Sequence, residues 1–220
     1  MSKNQPMNRS KILFITQFAI LLALEAVFCF TPLGSIPLGP MVATLAMLPV
    51  IITAIMLGTW AGTLMGFVAG LFSFLVWTFM PPNPVVAFIY TPVYSVGDFQ
   101  GNFWSLVICF VPRILIGILP WLIYEGLKRL AGRKGKVSIH LDTLFLGAAG
   151  LVTSILHTAM VMGLTWACFG QAYAGAKEVA YDALYRLILG VVAVNGLPEA
   201  AVAAVVTALV CRVLLKVLKR

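Results

Sequence analysis

Residues 58–70 read G-T-W-A-G-T-L-M-G-F-V-A-G, with Gly58, Gly62, Gly66 and Gly70 at an unbroken spacing of four. At 3.6 residues per turn, that spacing puts all four on one face of a helix. In water the helix would be poor, because each glycine costs about 1 kcal/mol relative to alanine. In a bilayer the backbone has no water to bond instead, so the segment stays helical, and a glycine face admits a neighbouring backbone. The stretch therefore predicts a membrane-spanning helix packed backbone to backbone. The ladder itself reads as a packing seam and not as a binding surface.

The rest of the chain agrees with a membrane setting. Of its 220 residues, 61% are hydrophobic and 10% charged. Soluble domains run near 45–50% apolar and about 25% charged, so this composition excludes an ordinary soluble globule and excludes disorder. The net charge of +8 does not imply nucleic acid, because the basic residues cluster at the ends of apolar runs, where they set orientation in the bilayer. Cys29, Cys109, Cys168 and Cys211 lack metal-ligand spacing and read as small apolar fillers. The basic N-terminus leads into an apolar run with no small-residue cleavage site after it, which predicts an uncleaved first span.

Six spans are expected within one integral membrane domain, 1–220, at about 12–30, 41–57, 59–80, 103–127, 141–169 and 197–218. Residues 31–40, T-P-L-G-S-I-P-L-G-P, force a loop after the first. The stretch 80–102 begins P-P-N-P and is long enough for a functional lid. An amphipathic or partly inserted helix is expected over 176–194, ending in a break at Asn195–Pro198. There Pro198 suits a first helical turn, Glu199 the positive end of the dipole, and Asn195 a nearby cap. Twelve of the 15 basic residues fall before span one, between spans four and five, or at the end of span six. With six spans these share one side, which the positive-inside rule makes cytoplasmic, together with both termini.

Arg113 is the most informative single residue. An arginine within a span must be paired or face a wet cavity. It either pairs with Glu199 or Asp98 for structure, or clamps an anion in an outward-facing pocket. The expected helix start at Asn195–Glu199 would add free N–H groups suited to a carboxylate, while Glu199 either neutralises Arg113 or accepts ligand hydroxyls. Around them, Trp77, Asn83, Tyr90 and Tyr94 mix aromatic and hydrogen-bonding character, as an interfacial belt or as a lid over an amphipathic small molecule. His157, in span five, is a core histidine or a ligand contact. Ala19 and Ala23 form a small-residue face in span one. No P-loop, H-E-x-x-H, paired-cysteine or G-x-S-x-G motif is present, and no metal site is expected.

Taken together, several segments resemble the substrate-binding S components of energy-coupling factor (ECF) vitamin transporters. They are Ala19-x-x-x-Ala23, I-P-L-G-P at 36–40, A-I-M-L-G-T-W-A-G-T-L-M-G-F-V-A-G-L-F-S at 54–73, F-V-P-R-I-L-I-G at 110–117 and V-N-G-L-P-E-A at 194–200. P-L-G-x-I-P-L-G-P and P-R-I-L-I-G are most like the pantothenate-type members. The resemblance implies a non-catalytic binding subunit of a prokaryotic plasma membrane, without a cofactor of its own. It implies a transmembrane coupling protein and two cytoplasmic ATPases as partners, with ATP used by those partners. It also implies that Ala19 and Ala23 meet the coupling protein, and that Arg113, Asn195 and the 80–102 loop surround the vitamin. Riboflavin or folate is the alternative ligand. The alternative classes are a membrane-embedded enzyme using His157, Arg113 and Glu199, and a solitary transporter.

Overall fold

The glycine ladder divides at its first member. Gly58 has φ +90°, a conformation that L side chains rarely adopt, and no neighbour lies where its Cβ would sit. It is the hinge between two helices and not part of a seam. In the computed structural model, which describes residues 9–38, 41–131 and 138–218, it joins α2 (Leu48–Leu57) to α3 (Thr59–Phe79). The other helices are α1 (Arg9–Phe30), α4 (Phe103–Ile116), α5 (Leu119–Leu130), α6 (Ile139–Ala176), α7 (Leu184–Val191) and α8 (Leu197–Leu218). Two short hairpins accompany them, β1 (Ser35–Leu38) with β2 (Met41–Thr44), and β3 (Ser95–Val96) with β4 (Phe99–Gln100).

The second expected span is helical over only part of its length. Residues 41–44 pair with 35–38 as an antiparallel hairpin, so the expected span 41–57 shortens to the ten residues of α2. At 1.5 Å per residue α2 is about 15 Å long, half a hydrocarbon core. Among the described residues, five helical stretches are long and apolar enough to cross a membrane: 10–30, 59–79, 103–130, 139–176 and 181–217. This is a multi-pass helical membrane protein. Of the basic residues used to orient it, Lys3, Arg133, Lys134, Lys136, Lys219 and Arg220 lie outside the described residues.

Gly62, Gly66 and Gly70 do form a seam, and it receives α4. A Cβ on Gly62 would strike the Gly117 carbonyl, and one on Gly66 the Arg113 carbonyl, with the Ile114 Cα at 3.0 Å. Gly117 returns the contact, since its own Cβ would meet the Gly62 backbone. At Gly70 the neighbour is instead the Phe110 ring, 2.8 Å away. The fourth crossing bends at Gly117–Ile118 because Pro120 has no N–H for the Ile116 carbonyl, and the chain tightens into three-residue turns (Gly117 N–H to Ile114 O, 3.0 Å). A second close seam joins α6 and α8, where a Cβ on Gly150 would lie 2.6 Å from the Ala203 carbonyl oxygen.

The break expected at Asn195–Pro198 is also corrected. Pro198 cannot donate to the Val194 carbonyl, but the chain answers by widening and not by stopping. Val192–Gly196 is a turn of π-helix, and the Leu197 N–H reaches the Val192 carbonyl. α7 thus continues into α8, and the free helix N-terminus predicted for an anion does not form. Upstream, α6 overruns its expected end at 169, kinking at Phe169 (φ −131°, ψ 16°) and running on to Ala176. Two apolar clusters result. One gathers α2, α3, α5, α6 and α8 around Ile51, Met65, Leu146 and Cys211, and the other holds Phe88, Ile89, Ile108, Phe169 and Leu184 under the 80–102 segment.

Candidate functional site

Between the two clusters lies a cavity of about 480 Å³, within the range of small-molecule sites. The chain directions place it toward the end of the bundle where α1 and α3 finish. The opposite end carries Lys11, Lys128, Arg129, Arg212 and Lys216. Its walls come from α1, the segment after β2, α3, the 80–102 segment, α4, α6 and the π-turn.

Of the expected site residues, Arg113, Asn195, Glu199, Asn83, Tyr90, Trp77 and His157 all line this cavity. Tyr94 does not. It sits half-buried just before β3, where its carbonyl takes the Gly101 N–H. Asp98, one of the two suggested partners of Arg113, is exposed beside the β3–β4 turn and is not on the cavity wall.

Arg113 occupies the last turn of α4. Side chains on a helix lean toward its N-terminus, and here Nη1 donates back to the Cys109 carbonyl at 2.8 Å. The guanidinium therefore lies nearer the loop end than its own Cα does. A guanidinium carries five N–H donors in a planar fork, so one bond to a carbonyl leaves capacity for a carboxylate. The backbone of Arg113 is fixed by the Gly66 contact described above, and the seam thus sets the position of the cavity's cation.

The aromatic wall is Trp77 stacked on Tyr90, centroids 4.4 Å apart with 25° between planes. Burial pushes the Tyr90 phenol up to about 12, opposed by the Arg113 charge, so it remains a neutral hydroxyl at physiological pH. Asn83 has its side chain turned to a local duty, accepting from the Val85 N–H at 3.2 Å to cap the 3₁₀-helix at Pro84–Ile89. The segment 80–102 is tied down further. Thr78 and Thr91 hydroxyls meet at 2.8 Å, and Ser105 Oγ donates to the Phe88 carbonyl at 2.7 Å while accepting from Asn102 N–H.

The cavity also holds residues that the sequence reading passed over: Glu25 and Cys29 of α1, Ser73 of α3 and Thr158 of α6. Glu25 is 1% exposed. Its Oε1 accepts from the Cys29 thiol at 3.3 Å, so Cys29 is more than an apolar filler. The signal was available, because a lone carboxylate inside a span marks a functional candidate by default. His157 presents an Nε2 that has no hydrogen-bond partner among the described residues. No group of three potential metal ligands occurs among those residues. The site can therefore offer one guanidinium, two carboxylates, an imidazole, amides and hydroxyls against an aromatic wall.

A family model described as "ECF transporter, substrate-specific component" matches residues 13–211. The chain belongs to that family. The pantothenic acid transporter PanT of Lactococcus lactis subsp. cremoris is 32% identical to it over 178 residues, which covers 80% of each chain. A family of substrate-specific transporter subunits accounts for a cavity lined by both polar and apolar side chains among apolar helices. Ala19 and Ala23 lie on the exposed face of α1, away from the cavity.

Proposed function

We propose that this chain captures pantothenate from outside the cell and hands it to an ATP-driven partner complex. The observation that carries the reading is Arg113, a guanidinium within a span on the wall of a cavity among the helices, in a chain 32% identical to a pantothenic acid transporter. Pantothenate is a small carboxylate with hydroxyls and an amide. Its carboxylate suits the Arg113 fork. Its hydroxyls and amide suit the Asn195, Glu199 and His157 side chains, and its apolar middle suits Trp77 and Tyr90. Riboflavin would use stacking aromatics without a cation, and folate is anionic but larger than pantothenate.

In this reading the subunit is non-catalytic and uses no cofactor. ATP is hydrolysed by two cytoplasmic ATPases, and a transmembrane coupling protein receives the exposed Ala19 and Ala23 face of α1. Both termini are cytoplasmic, the cavity opens outward, and the membrane is the plasma membrane of a prokaryote. The segment 80–102 closes over the ligand.

The test is uptake and binding measured side by side. In cells that express the coupling protein and ATPases, the chain should import labelled pantothenate, and excess unlabelled pantothenate should compete while riboflavin and folate do not. Replacing Ala19 and Ala23 together by leucine should abolish uptake while the purified variant still binds. Competition by riboflavin alone, or binding lost together with uptake in a folded variant, would overturn the assignment.

A further inference from the structure

Glu25 interacts electrostatically with Arg113, but that interaction leaves most of its hydrogen-bonding capacity unused. It sits in the last third of α1, it lines the cavity, and it is almost wholly buried. A carboxylate has about four acceptor positions on two oxygens. Here one is met by a thiol, a weak donor, at 3.3 Å, and Oε2 has no hydrogen-bond partner among the described residues. Leaving such a group unmatched at membrane depth is costly. A leucine would fill the same volume without that cost, so acceptor capacity at this position is there to be used. It faces the same space as Arg113, the cavity's cation, and His157 Nε2, another buried polar atom without a hydrogen-bond partner among the described residues.

The geometry points to Glu25 as a substrate-contacting specificity residue, one that accepts hydrogen bonds from hydroxyl groups of the ligand while Arg113 holds the ligand's carboxylate. This rests on the pantothenate reading and deepens it. The site selects molecules that carry a carboxylate at one end and hydroxyl donors at the other, and rejects carboxylates of the same size without hydroxyls. Discrimination follows from the carboxylate itself: a hydroxyl-free ligand removes Glu25 from water and returns nothing. Cys29, bonded to Oε1, acts as a positioning residue that fixes the carboxylate rotamer.

A ligand-by-variant cycle on the purified full-length chain tests this. The probes are pantothenate, an analogue with both pantoyl hydroxyls replaced by hydrogen, and pantothenol, in which the carboxylate is replaced by an alcohol. Wild-type protein should bind the hydroxyl-free analogue about tenfold to a hundredfold more weakly than pantothenate. Glu25→Leu should weaken pantothenate by a similar factor and erase the preference between those two ligands. It should leave the preference for pantothenate over pantothenol intact, because that preference reads Arg113. Glu25→Gln, which keeps one acceptor and the shape, should fall between. A wild-type chain that binds the hydroxyl-free analogue as tightly as pantothenate overturns the inference without any variant having to fold. So does a folded Glu25→Leu protein with unchanged preference. A wild-type chain that binds none of the three overturns the pantothenate reading itself, an outcome distinct from either of the others.

Discussion

Alanine substitution along the glycine face of α3 should produce a steep and specific gradient. At Gly66 the new methyl carbon would fall onto the Arg113 carbonyl oxygen, with the Arg113 carbonyl carbon and Ile114 Cα each at 3.0 Å. All three are backbone atoms, so no rotamer change relieves the clash and α3 and α4 must separate. Overpacking of this kind costs about 1–3 kcal/mol, against a helix-propensity gain of about 1 kcal/mol for removing a glycine. The net is a loss of up to about 2 kcal/mol, from those two ranges. At Gly70 the obstacle is the Phe110 ring at 2.8 Å, a side chain that can turn, so the two terms should nearly cancel. Gly163 and Gly190 have nothing within 4 Å of a built Cβ and should gain stability. Thermal unfolding of the detergent-purified variants should therefore rank Gly163→Ala and Gly190→Ala above wild type, Gly70→Ala near it, and Gly66→Ala and Gly62→Ala clearly below. Gly66→Ala should also weaken pantothenate binding, because its clash displaces the backbone that carries the guanidinium. A Gly66→Ala protein as stable as Gly163→Ala, with unchanged affinity, would refute the seam and its link to the site together.

Other outcomes follow from single contacts. Ser105→Ala removes the 2.7 Å bond to the Phe88 carbonyl and should cost about 1–3 kcal/mol, with faster pantothenate release in stopped-flow measurements if 80–102 closes the site. Glu178 holds a left-handed φ of 54° at the end of α6, where the Val179 N–H bonds the Ala174 carbonyl; Glu178→Gly should raise stability by about 1 kcal/mol, seen as a higher unfolding midpoint. The buried Tyr90 phenol, displaced upward from 10.0 to about 12, keeps its proton in the folded chain over a range where the unfolded chain loses it. Its contribution is present below pH 10 and falls as pH rises from about 10 to about 12. Tyr90→Phe should flatten that alkaline loss in a pH series of unfolding midpoints, and an unaltered slope would count against the burial argument.

The membrane class and the seam were legible in the sequence because both depend on local pattern: apolar runs of sufficient length, and small residues at a spacing of four. Gly58 shared the spacing but not the role, since periodicity carries no information about φ. The strand at 41–44 took residues that hydropathy alone assigns to a span. Asn195-Gly196-Leu197-Pro198-Glu199 reads the same whether a helix restarts or widens, because Pro198 removes the same hydrogen bond in either case. Neighbouring α6 is close there, with Thr158 Cγ2 3.0 Å from a Cβ built on Gly196. Arg113, Trp77, Tyr90 and His157 could be named in advance as unusual residues within or beside spans. Glu25 carried the same signal but lies far in sequence from Arg113 and His157, and only the packing of α1 beside α3 brings it to the same cavity.

The central claim, that a carboxylate ligand is held by the guanidinium in the cavity, is tested most directly by calorimetric titration of the purified wild-type and Arg113→Ala chains with pantothenate. The account predicts one-to-one binding by the wild type and a loss of at least about tenfold in the variant, the scale of a lost charge-assisted hydrogen bond. Equal affinity in the two folded proteins would contradict it.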